Sequence, residues 1–289
     1  MNNIAGYRGN QNLKKSGIAI EWTPELIKEY IKCRDDIIYF AETYFKIITE
    51  DGMVNIKLRD YQKEFILSMK ENRYTVCLMG RQQGKTESVR IFMIHYLLFN
   101  EYKTIGVLAN KEATAMEILS KIQISYEQLP NWLQIGVVEW NKGTFVLENG
   151  SRILASSTTS DSIRGFTLHA VLIDEAAHIE KWDSFYASVL PTISAGKSTK
   201  LIMVSTPNGL NHMYDIWSKS ERGLNEFYRI KATWRDVPGR TNAWKEMQLG
   251  LMNNDQAKFE QEYEVEFIGS SGTLISGWKL KELINDITL

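Results

Sequence analysis

The sequence TVCLMGRQQGKT, residues 75–86, joins a short apolar run to a loop that carries two glycines and a lysine. The apolar run is typical of a buried strand, and the chain after Thr86 reads as a helix to about Asn100 that is apolar on nearly all sides. Glycine lets backbone amides approach a phosphate closely, and a helix N-terminus adds N–H donors and a favourable dipole. The segment therefore predicts a phosphate-binding loop between a strand and a helix.

Gly84-Lys85-Thr86 is the core of a P-loop. We expect Lys85 to reach the β- and γ-phosphates of ATP and Thr86 to bind Mg²⁺. The GxxxxGK[ST] pattern places its first glycine where this chain has Met79, so the loop is shorter than the standard one. The alternative is a glycine-rich turn that binds no ligand. The predicted nucleotide-binding residues of the loop are Gly80, Arg81, Gln82, Gln83, Gly84, Lys85 and Thr86.

A second apolar run ends in the two carboxylates Asp174 and Glu175. In a P-loop enzyme the first carboxylate holds Mg²⁺, which we expect Asp174 to do through a water molecule, and the second acts as general base on the attacking water. We therefore predict Asp174 as a metal-binding residue and Glu175 as the catalytic base. The alternative is an exposed acidic turn after a strand.

Two polar segments are candidates for further contacts with the nucleotide. Ser205 and Thr206 follow another apolar run, and small polar residues at the carboxyl end of a strand can sense a γ-phosphate. Tyr61 and Gln62 precede the first strand; the tyrosine can pack on a base, and a glutamine amide can pair with N6 and N7 of adenine. The alternatives are an ordinary Pro-Asn-Gly turn for the first segment and ordinary helix-surface residues for the second.

Two arginines are predicted to stabilise charge in the transition state. Arg81 lies within the phosphate loop and can point at the γ-phosphate of the same chain. Arg164 lies on a loop before the acidic strand, next to Gly165, and can act on the site of a neighbouring subunit. The alternative for each is a solvated surface arginine.

Strands alternate with helices along much of the chain, which predicts an α/β fold with a mostly parallel sheet covered on both faces. Asn149-Gly150 between two apolar runs predicts a hairpin with a type I′ turn. We predict a mobile polar leader at residues 1–20, an ATPase core with N-terminal helices at 21–233, and a lid subdomain with the start of a linker at 234–289. The predicted strands cover residues 75–79, 104–109, 144–147, 152–155, 171–173, 200–205 and 227–233.

The composition is that of an ordinary globular protein, with 289 residues, 44% hydrophobic and 24% charged. The formal net charge of −1 is not typical of a protein that grips nucleic acid tightly by itself. The chain begins without the apolar segment of a secretory signal, and its two cysteines form no disulfide framework, which favours a reducing cytoplasm. The four histidines lack the spacing of a zinc site, so we predict no histidine metal centre.

Together these segments resemble the large terminase subunit of tailed bacteriophages, over about residues 21–280. The shortened loop is the usual form in that family. The motifs that carry the resemblance are Leu58-Arg59-Asp60-Tyr61-Gln62, the Gly-Arg-Gln-x-Gly-Lys-Thr loop at 80–86, Ile173-Asp174-Glu175, the run from Ser205 to Asp215, and Ser271-Gly272-Thr273-Leu274-Ile275-Ser276-Gly277.

The resemblance implies a P-loop NTPase of the additional-strand catalytic-glutamate (RecA-like) type with a small helical lid. It implies Mg²⁺-dependent ATP hydrolysis that moves double-stranded DNA into a procapsid. Gln62 matches the family's adenine-recognising glutamine, Arg81 its loop arginine and Thr206 its coupling motif, while Arg164 falls where some members place a trans arginine finger.

The resemblance also implies partners and a location. The partners are double-stranded DNA, the portal protein of the procapsid and the small terminase subunit, with no membrane. The chain is expected to be a monomer alone and to form a ring of five subunits when assembled, in the host cytoplasm and docked on the portal vertex. Full-length members carry a C-terminal nuclease domain, and we expect no nuclease activity from this chain.

Two other functions fit part of the pattern. Asp174-Glu175-Ala176-Ala177-His178 is close to the DEAH box of superfamily 2 helicases, but its histidine comes one position late. The other alternative is an assembly protein that binds a nucleotide without hydrolysing it, and Glu175 argues against this because binding alone needs no general base.

Overall fold

A computed structural model describes residues 6–50, 52–158, 165–194 and 196–268. The elements of the N-terminal part are β1 (Gly6–Tyr7), β2 (Asn10–Lys14), α1 (Pro24–Asp35), α2 (Ile37–Tyr44), β3 (Lys46–Thr49), β4 (Gly52–Asn55) and α3 (Asp60–Glu71). The middle of the chain contains β5 (Tyr74–Met79), α4 (Lys85–Leu98), β6 (Thr104–Ala109), α5 (Glu112–Glu127), β7 (Val137–Trp140), β8 (Thr144–Leu147), β9 (Arg152–Ser157) and β10 (Ala170–Asp174). The remainder contains α6 (Trp182–Ser194), β11 (Lys200–Ser205), α7 (His212–Glu221), β12 (Tyr228–Ala232), α8 (Asn242–Leu251) and α9 (Gln256–Phe259). None of the helices in these described ranges is both long enough and apolar enough to cross a membrane.

The central sheet has eight strands in the order β12-β5-β11-β10-β6-β9-β8-β7. The strands from β12 to β9 are parallel, and β8 and β7 continue the sheet antiparallel. This confirms the predicted mostly parallel sheet. Because β5, β11 and β10 lie side by side and run in the same direction, the residues that follow them meet at one edge of the sheet.

Helices cover both faces of the sheet and create two cores. Alternate residues of β5 point to opposite faces, so that Cys77 and Met79 join one core while Val76 and Leu78 join the other. Burial on both faces explains why the parallel strands read as continuous apolar runs rather than alternating ones. The first core includes residues of α2 to α5, and the second includes residues of α6 and α7.

The predicted mobile leader is wrong over residues 6–17. Strands β1 and β2 pair antiparallel, and Leu13 is buried in the larger core with 2% exposure. The backbone N–H of Lys14 donates to Gln134 Oε1 at 2.9 Å, and that of Ser16 donates to the Val137 carbonyl at 3.3 Å. The segment thereby covers the outer edge of β7, which otherwise presents unpaired backbone groups. Its backbone, with one leucine, makes these contacts, so its polar composition did not reveal them.

The predicted hairpin between β8 and β9 is present, but its turn is not type I′. Only Gly150 of the Asn149-Gly150 pair has a positive φ, 76°, and a type I′ turn needs two. The N–H of Gly150 donates to the Leu147 carbonyl at 3.0 Å. The Asn149 side-chain amide donates to the carbonyls of Leu97 and Asn100 at 2.9 and 3.1 Å. These hydrogen bonds to the end of α4 hold the turn, which is longer than the predicted type I′ turn.

Residues 234–264, which we call the lid segment, have a small core of their own. Trp234, Leu249 and Phe259 are buried together, and Trp244, Met252 and Tyr263 pack against them. The segment ends in a π-helical turn at Glu260–Glu264. The domain boundary at 234 stays a prediction, and the predicted linker and the motif at 271–277 lie outside the described residues.

Candidate nucleotide-binding site

The loop between β5 and α4 has the backbone of an anion-binding loop. Gly84 is the N-cap of α4 with φ 82° and ψ 24°, a left-handed conformation that favours glycine. Gln82 also has a positive φ, 55°. The N-terminus of a buried helix of 14 residues follows the loop directly. Its free N–H groups and its dipole favour a phosphate at this position.

Lys85, Thr86 and Asp174 line one cleft, together with apolar residues of α4, α5 and the sheet. Lys85 Nζ donates to the carbonyl of Met79 at 3.0 Å. Burial lowers the pKa of Lys85, and the nearby Asp174 carboxylate opposes this shift. Burial raises the pKa of Asp174, and Lys85 opposes that shift in turn. Both charged groups are therefore partly desolvated, which strengthens their interaction with a charged ligand.

Glu175 follows Asp174 at the end of β10 and is exposed. Its backbone is left-handed, with φ 50° and ψ 39°, which is uncommon for a residue with a side chain. The chain then makes a 3-10 turn at Ala176–His178. The two predicted acidic residues therefore lie at the same sheet edge as the phosphate loop, one partly buried and the other open to solvent.

Ser205 is the last residue of β11, the strand that lies between β5 and β10, and Thr206 follows it directly. Ser205 Oγ accepts a hydrogen bond from the Ala177 N–H at 3.1 Å. Both residues are buried. The structure thus connects the predicted coupling residues with the turn after Glu175, and their role in coupling stays a prediction.

Arg81 is bound to the lid segment. Its Nε donates to Glu262 Oε2 at 2.7 Å, and its backbone N–H donates to the Glu262 carbonyl at 3.2 Å. The Glu262 side chain is 10% exposed and the Arg81 side chain 67% exposed. The hydrogen bond and the charge of Glu262 raise the pKa of Arg81, and the charge of Glu175 makes a smaller contribution in the same direction. Contact of Arg81 with a γ-phosphate, as predicted from the sequence, requires the guanidinium to exchange Glu262 for the phosphate.

Tyr61 and Gln62 contact the phosphate loop itself. The Tyr61 hydroxyl donates to the Gln83 carbonyl at 2.9 Å and accepts from Arg59 Nη1 at 2.8 Å. Gln62 is 4% exposed, and its Nε2 donates to the Gly84 carbonyl at 3.4 Å. Both side chains therefore support the loop from the N-terminus of α3. Recognition of adenine by Gln62 stays a prediction, and it requires the amide to change partners.

Two predicted loop residues have partners of different kinds. Gln83 is buried, and its Oε1 accepts from the Gly80 N–H at 2.9 Å. The carbonyl of Gln82 accepts from Arg240 Nη2 at 3.3 Å. Arg164 lies outside the described residues, so its predicted trans role stays a prediction.

Mg²⁺ fits the oxygen donors of this cleft. The Thr86 hydroxyl and the Asp174 carboxylate line it together, and Mg²⁺ is commonly held by one or two carboxylates with substrate phosphates and water. Within the described residues, no group of three or more His, Cys, Asp or Glu could hold a metal by itself. The donor set therefore suits a cation that arrives with a nucleotide.

Sequence reasoning missed the residues of the lid segment that contact the loop. Glu262 is 181 residues from Arg81, and Arg240 is 158 residues from Gln82. The Arg240 guanidinium also lies over the Trp244 ring at 4.4 Å from its centroid. No local spacing marks such pairs. The sequence marks the lid segment only by its charged and aromatic residues, and these do not identify their partners in the loop.

A family model described as terminase large subunit, T4likevirus-type, N-terminal matches residues 76–282. The chain is similar to the terminase large subunit of Thermus virus P23-45, at 25% identity over 234 residues, which cover 70% of this chain and 47% of that protein. The chain thus spans about half the length of the curated relatives it matches.

Two solved structures are similar in fold. The large terminase of bacteriophage HK97 has a TM-score of 0.68 at 16% identity, over 81% of this chain and 55% of that one. A mutant of the large terminase ATPase domain of Thermus phage P74-26 has a TM-score of 0.60 at 22% identity, over 73% of this chain and 94% of that one. The likeness confirms the predicted fold, a mainly parallel sheet flanked by helices.

Proposed function

We propose that this chain, which belongs to the terminase large subunits of the T4likevirus type, hydrolyses ATP to move double-stranded DNA into a procapsid. It matches the N-terminal part of that family. One observation carries the proposal: Lys85, Thr86 and Asp174 line the same cleft at the carboxyl edge of the sheet, with Glu175 directly beside it. This set combines a cation for phosphates, oxygen ligands for a metal and a base for water.

Each side chain of the cleft has a separate task in the proposed reaction. Lys85 leaves the Met79 carbonyl and binds the β- and γ-phosphates, while the backbone amides of the loop hold the phosphate oxygens. Thr86 and Asp174 would hold Mg²⁺, which would supply positive charge to stabilise the phosphates. The partial desolvation of Lys85 and Asp174 strengthens both contacts.

Glu175 accepts a proton from the attacking water as the water oxygen forms a bond to the γ-phosphorus. The bond between that phosphorus and the bridging oxygen breaks, and ADP leaves with the electron pair. Arg81 stabilises the charge that spreads over the γ-phosphate oxygens once it is released from Glu262. Because Arg81 joins the loop to the lid segment in the present structure, its transfer also alters the contact between these two parts.

The partners follow from family membership and belong to the proposal. They are double-stranded DNA, the portal protein and the small terminase subunit, with assembly into a ring on the portal vertex in the host cytoplasm. The ATPase domain of Thermus phage P74-26, which has a similar fold, bears that activity in its name. Nuclease activity is not part of the proposed function of this chain.

Release of phosphate from ATP tests the proposal. We expect hydrolysis with Mg²⁺ that disappears with a chelator, and a loss of several kcal/mol of transition-state stabilisation in Lys85→Ala. Lys142→Ala is the matched control, because Lys142 is an exposed lysine between β7 and β8, at the far end of the sheet from β5. Activity of Lys85→Ala within a factor of about two of the control would refute the assignment of the loop.

Two further results would support the alternative functions. Separation of DNA strands by the chain, fuelled by ATP, would favour a helicase. Tight binding of ATP by the wild-type chain without any hydrolysis in a single-turnover measurement would favour an assembly protein that only binds the nucleotide.

A further inference from the structure

The turn after Glu175 is held in an unfavourable backbone conformation. Glu175 has φ 50° and ψ 39°, the left-handed region that disfavours residues with a Cβ. The His178 N–H closes the turn onto the Glu175 carbonyl at 2.8 Å. A strained residue of this kind persists only where the surrounding structure fixes it. The direction of the Glu175 side chain therefore depends on the groups that hold the turn.

The segment after β11 supplies three side chains that hold the turn, in addition to Ser205 Oγ at the end of β11, which binds the Ala177 N–H. Asn211 Nδ2 donates to the Ala177 carbonyl at 2.6 Å, and Asn208 Nδ2 donates to the same oxygen at 3.3 Å. His212 Nε2 lies 2.7 Å from the Ala176 carbonyl. A carbonyl oxygen only accepts hydrogen bonds, so His212 carries its proton on Nε2. Both carbonyls that directly follow Glu175 are thus bound by side chains from one short stretch.

Asn211 and His212 are themselves oriented by rigid elements. Asn211 is the N-cap of α7, and its Oδ1 accepts from the Met213 N–H at 3.0 Å. The His212 ring stacks on Trp182 at the start of α6, with centroids 4.2 Å apart and an angle of 4° between the planes. The orientation of each donor is therefore set by a helix, independently of its contact with the turn.

We propose that Asn211 and His212 are positioning residues that hold Glu175 in its left-handed conformation, so that its carboxylate faces the attacking water. The inference rests on the proposed function, because it assigns to Glu175 the part of general base. The two side chains connect the start of α7 and the segment after β11 to the acidic end of β10. Without the two donors, the backbone of Glu175 relaxes toward the common conformations and the carboxylate leaves its position.

Three variants separate positioning from stability. Asn211→Asp keeps the helix cap and the size of the side chain but cannot donate to the Ala177 carbonyl. His212→Phe keeps an aromatic ring for Trp182 and removes the donor to Ala176. His212→Gln places an amide N–H near the position of Nε2 and restores the donor without the ring. The control is Thr23→Ala, which removes the hydrogen bond from the Leu26 N–H to Thr23 Oγ1 at the N-terminus of α1, far from the turn.

The measurements are kcat, KM, the Kd of ATP and the melting temperature of each variant of this chain. We expect kcat to fall roughly 10- to 100-fold in Asn211→Asp and His212→Phe, part of what a positioned general base contributes. We expect KM and Kd to stay within about twofold, because neither residue lines the nucleotide cleft. His212→Gln should recover most of kcat, and Thr23→Ala should keep the wild-type value.

Three results would overturn the inference while the proposed function stands. They are wild-type kcat in both donor variants, a fall in ATP affinity parallel to the fall in kcat, and a His212→Gln variant as slow as His212→Phe. Absence of ATP hydrolysis in the wild-type chain would instead overturn the proposed function, and this inference with it.

Discussion

Replacing Glu262 by glutamine is expected to tighten the binding of a nucleotide that has a γ-phosphate, because it weakens the hold of the lid segment on Arg81. The carboxylate is only 10% exposed, but the Arg81 side chain is 67% exposed, so solvent screens the pair. Exposed ion pairs contribute about 0.2–1 kcal/mol, and the buried carboxylate with its 2.7 Å bond places this pair in the upper half of that range. The Arg81–Glu262 interaction competes with binding of the γ-phosphate. Loss of about 0.5–1 kcal/mol from that interaction lowers the Kd of the nucleotide roughly two- to fivefold.

The assay compares the Kd of ATPγS and of ADP for the wild type and Glu262→Gln. The expected tightening applies to ATPγS alone, since ADP has no γ-phosphate to attract Arg81. Glu264→Gln is the matched control, because Glu264 lies on the same turn but accepts from Trp234 Nε1 at 2.9 Å and pairs with Arg235. An unchanged or weaker affinity for ATPγS, or an equal gain for ADP, would refute the competition between Glu262 and the γ-phosphate for Arg81.

Three further substitutions test the fold. Gly84→Ala should lower the free energy of unfolding by at least about 1–2 kcal/mol in urea titrations, the cost of a left-handed residue with a Cβ; the added Cβ would also lie 2.3 Å from Gln62 Nε2, so a wild-type midpoint would contradict the loop geometry. Burial lowers the pKa of His95 to about 4, so the folded chain binds fewer protons there than the unfolded chain. The free energy of unfolding should therefore fall by about 2–3 kcal/mol between pH 6.5 and about pH 4.5. His95→Gln should lack this fall. Leu13→Ala should cost about 2–4 kcal/mol, whereas a mobile leader predicts no change.

The sheet and the chemistry of its edge could be predicted because their signals are local. Buried parallel strands read as short apolar runs, and β6 and β11 begin and end where the sequence places them. The glycines of the loop, Lys85 and the Asp174-Glu175 pair follow directly on such runs. Since the carboxyl ends of parallel strands share one edge, order along the chain was enough to bring these groups together.

The contacts that connect the site with distant segments could not be predicted, because nothing local in the sequence marks them. Nothing near Arg81 indicates its pairing with Glu262, and nothing near Gln62 indicates that its amide binds the Gly84 carbonyl. Asn211 and His212 belong to a motif of the family resemblance, but their bonds to the turn after Glu175 depend on tertiary structure.

Elements with weak sequence signals were also missed. The hairpin of β3 and β4 is almost entirely exposed, and its apolar residues Ile47, Ile48, Met53 and Val54 do not alternate with polar ones as a half-buried strand requires. Helix α6 contains Pro191, which usually argues against a helix. The backbone of the N-terminal segment is held largely by the side chains of Gln134 and Glu148, and composition does not indicate such contacts.

Binding and hydrolysis of ATP, measured side by side on the wild type and Glu175→Gln, test whether the chain is an ATPase with Glu175 as its general base. Glutamine keeps the shape of the side chain and removes the base. We expect a Kd for ATP within about twofold of the wild type and a single-turnover rate lower by roughly 10²–10⁴-fold. Loss of ATP affinity in parallel with the rate, or a rate within a factor of about two of the wild type, would contradict the assignment of Glu175 as the general base of an ATPase.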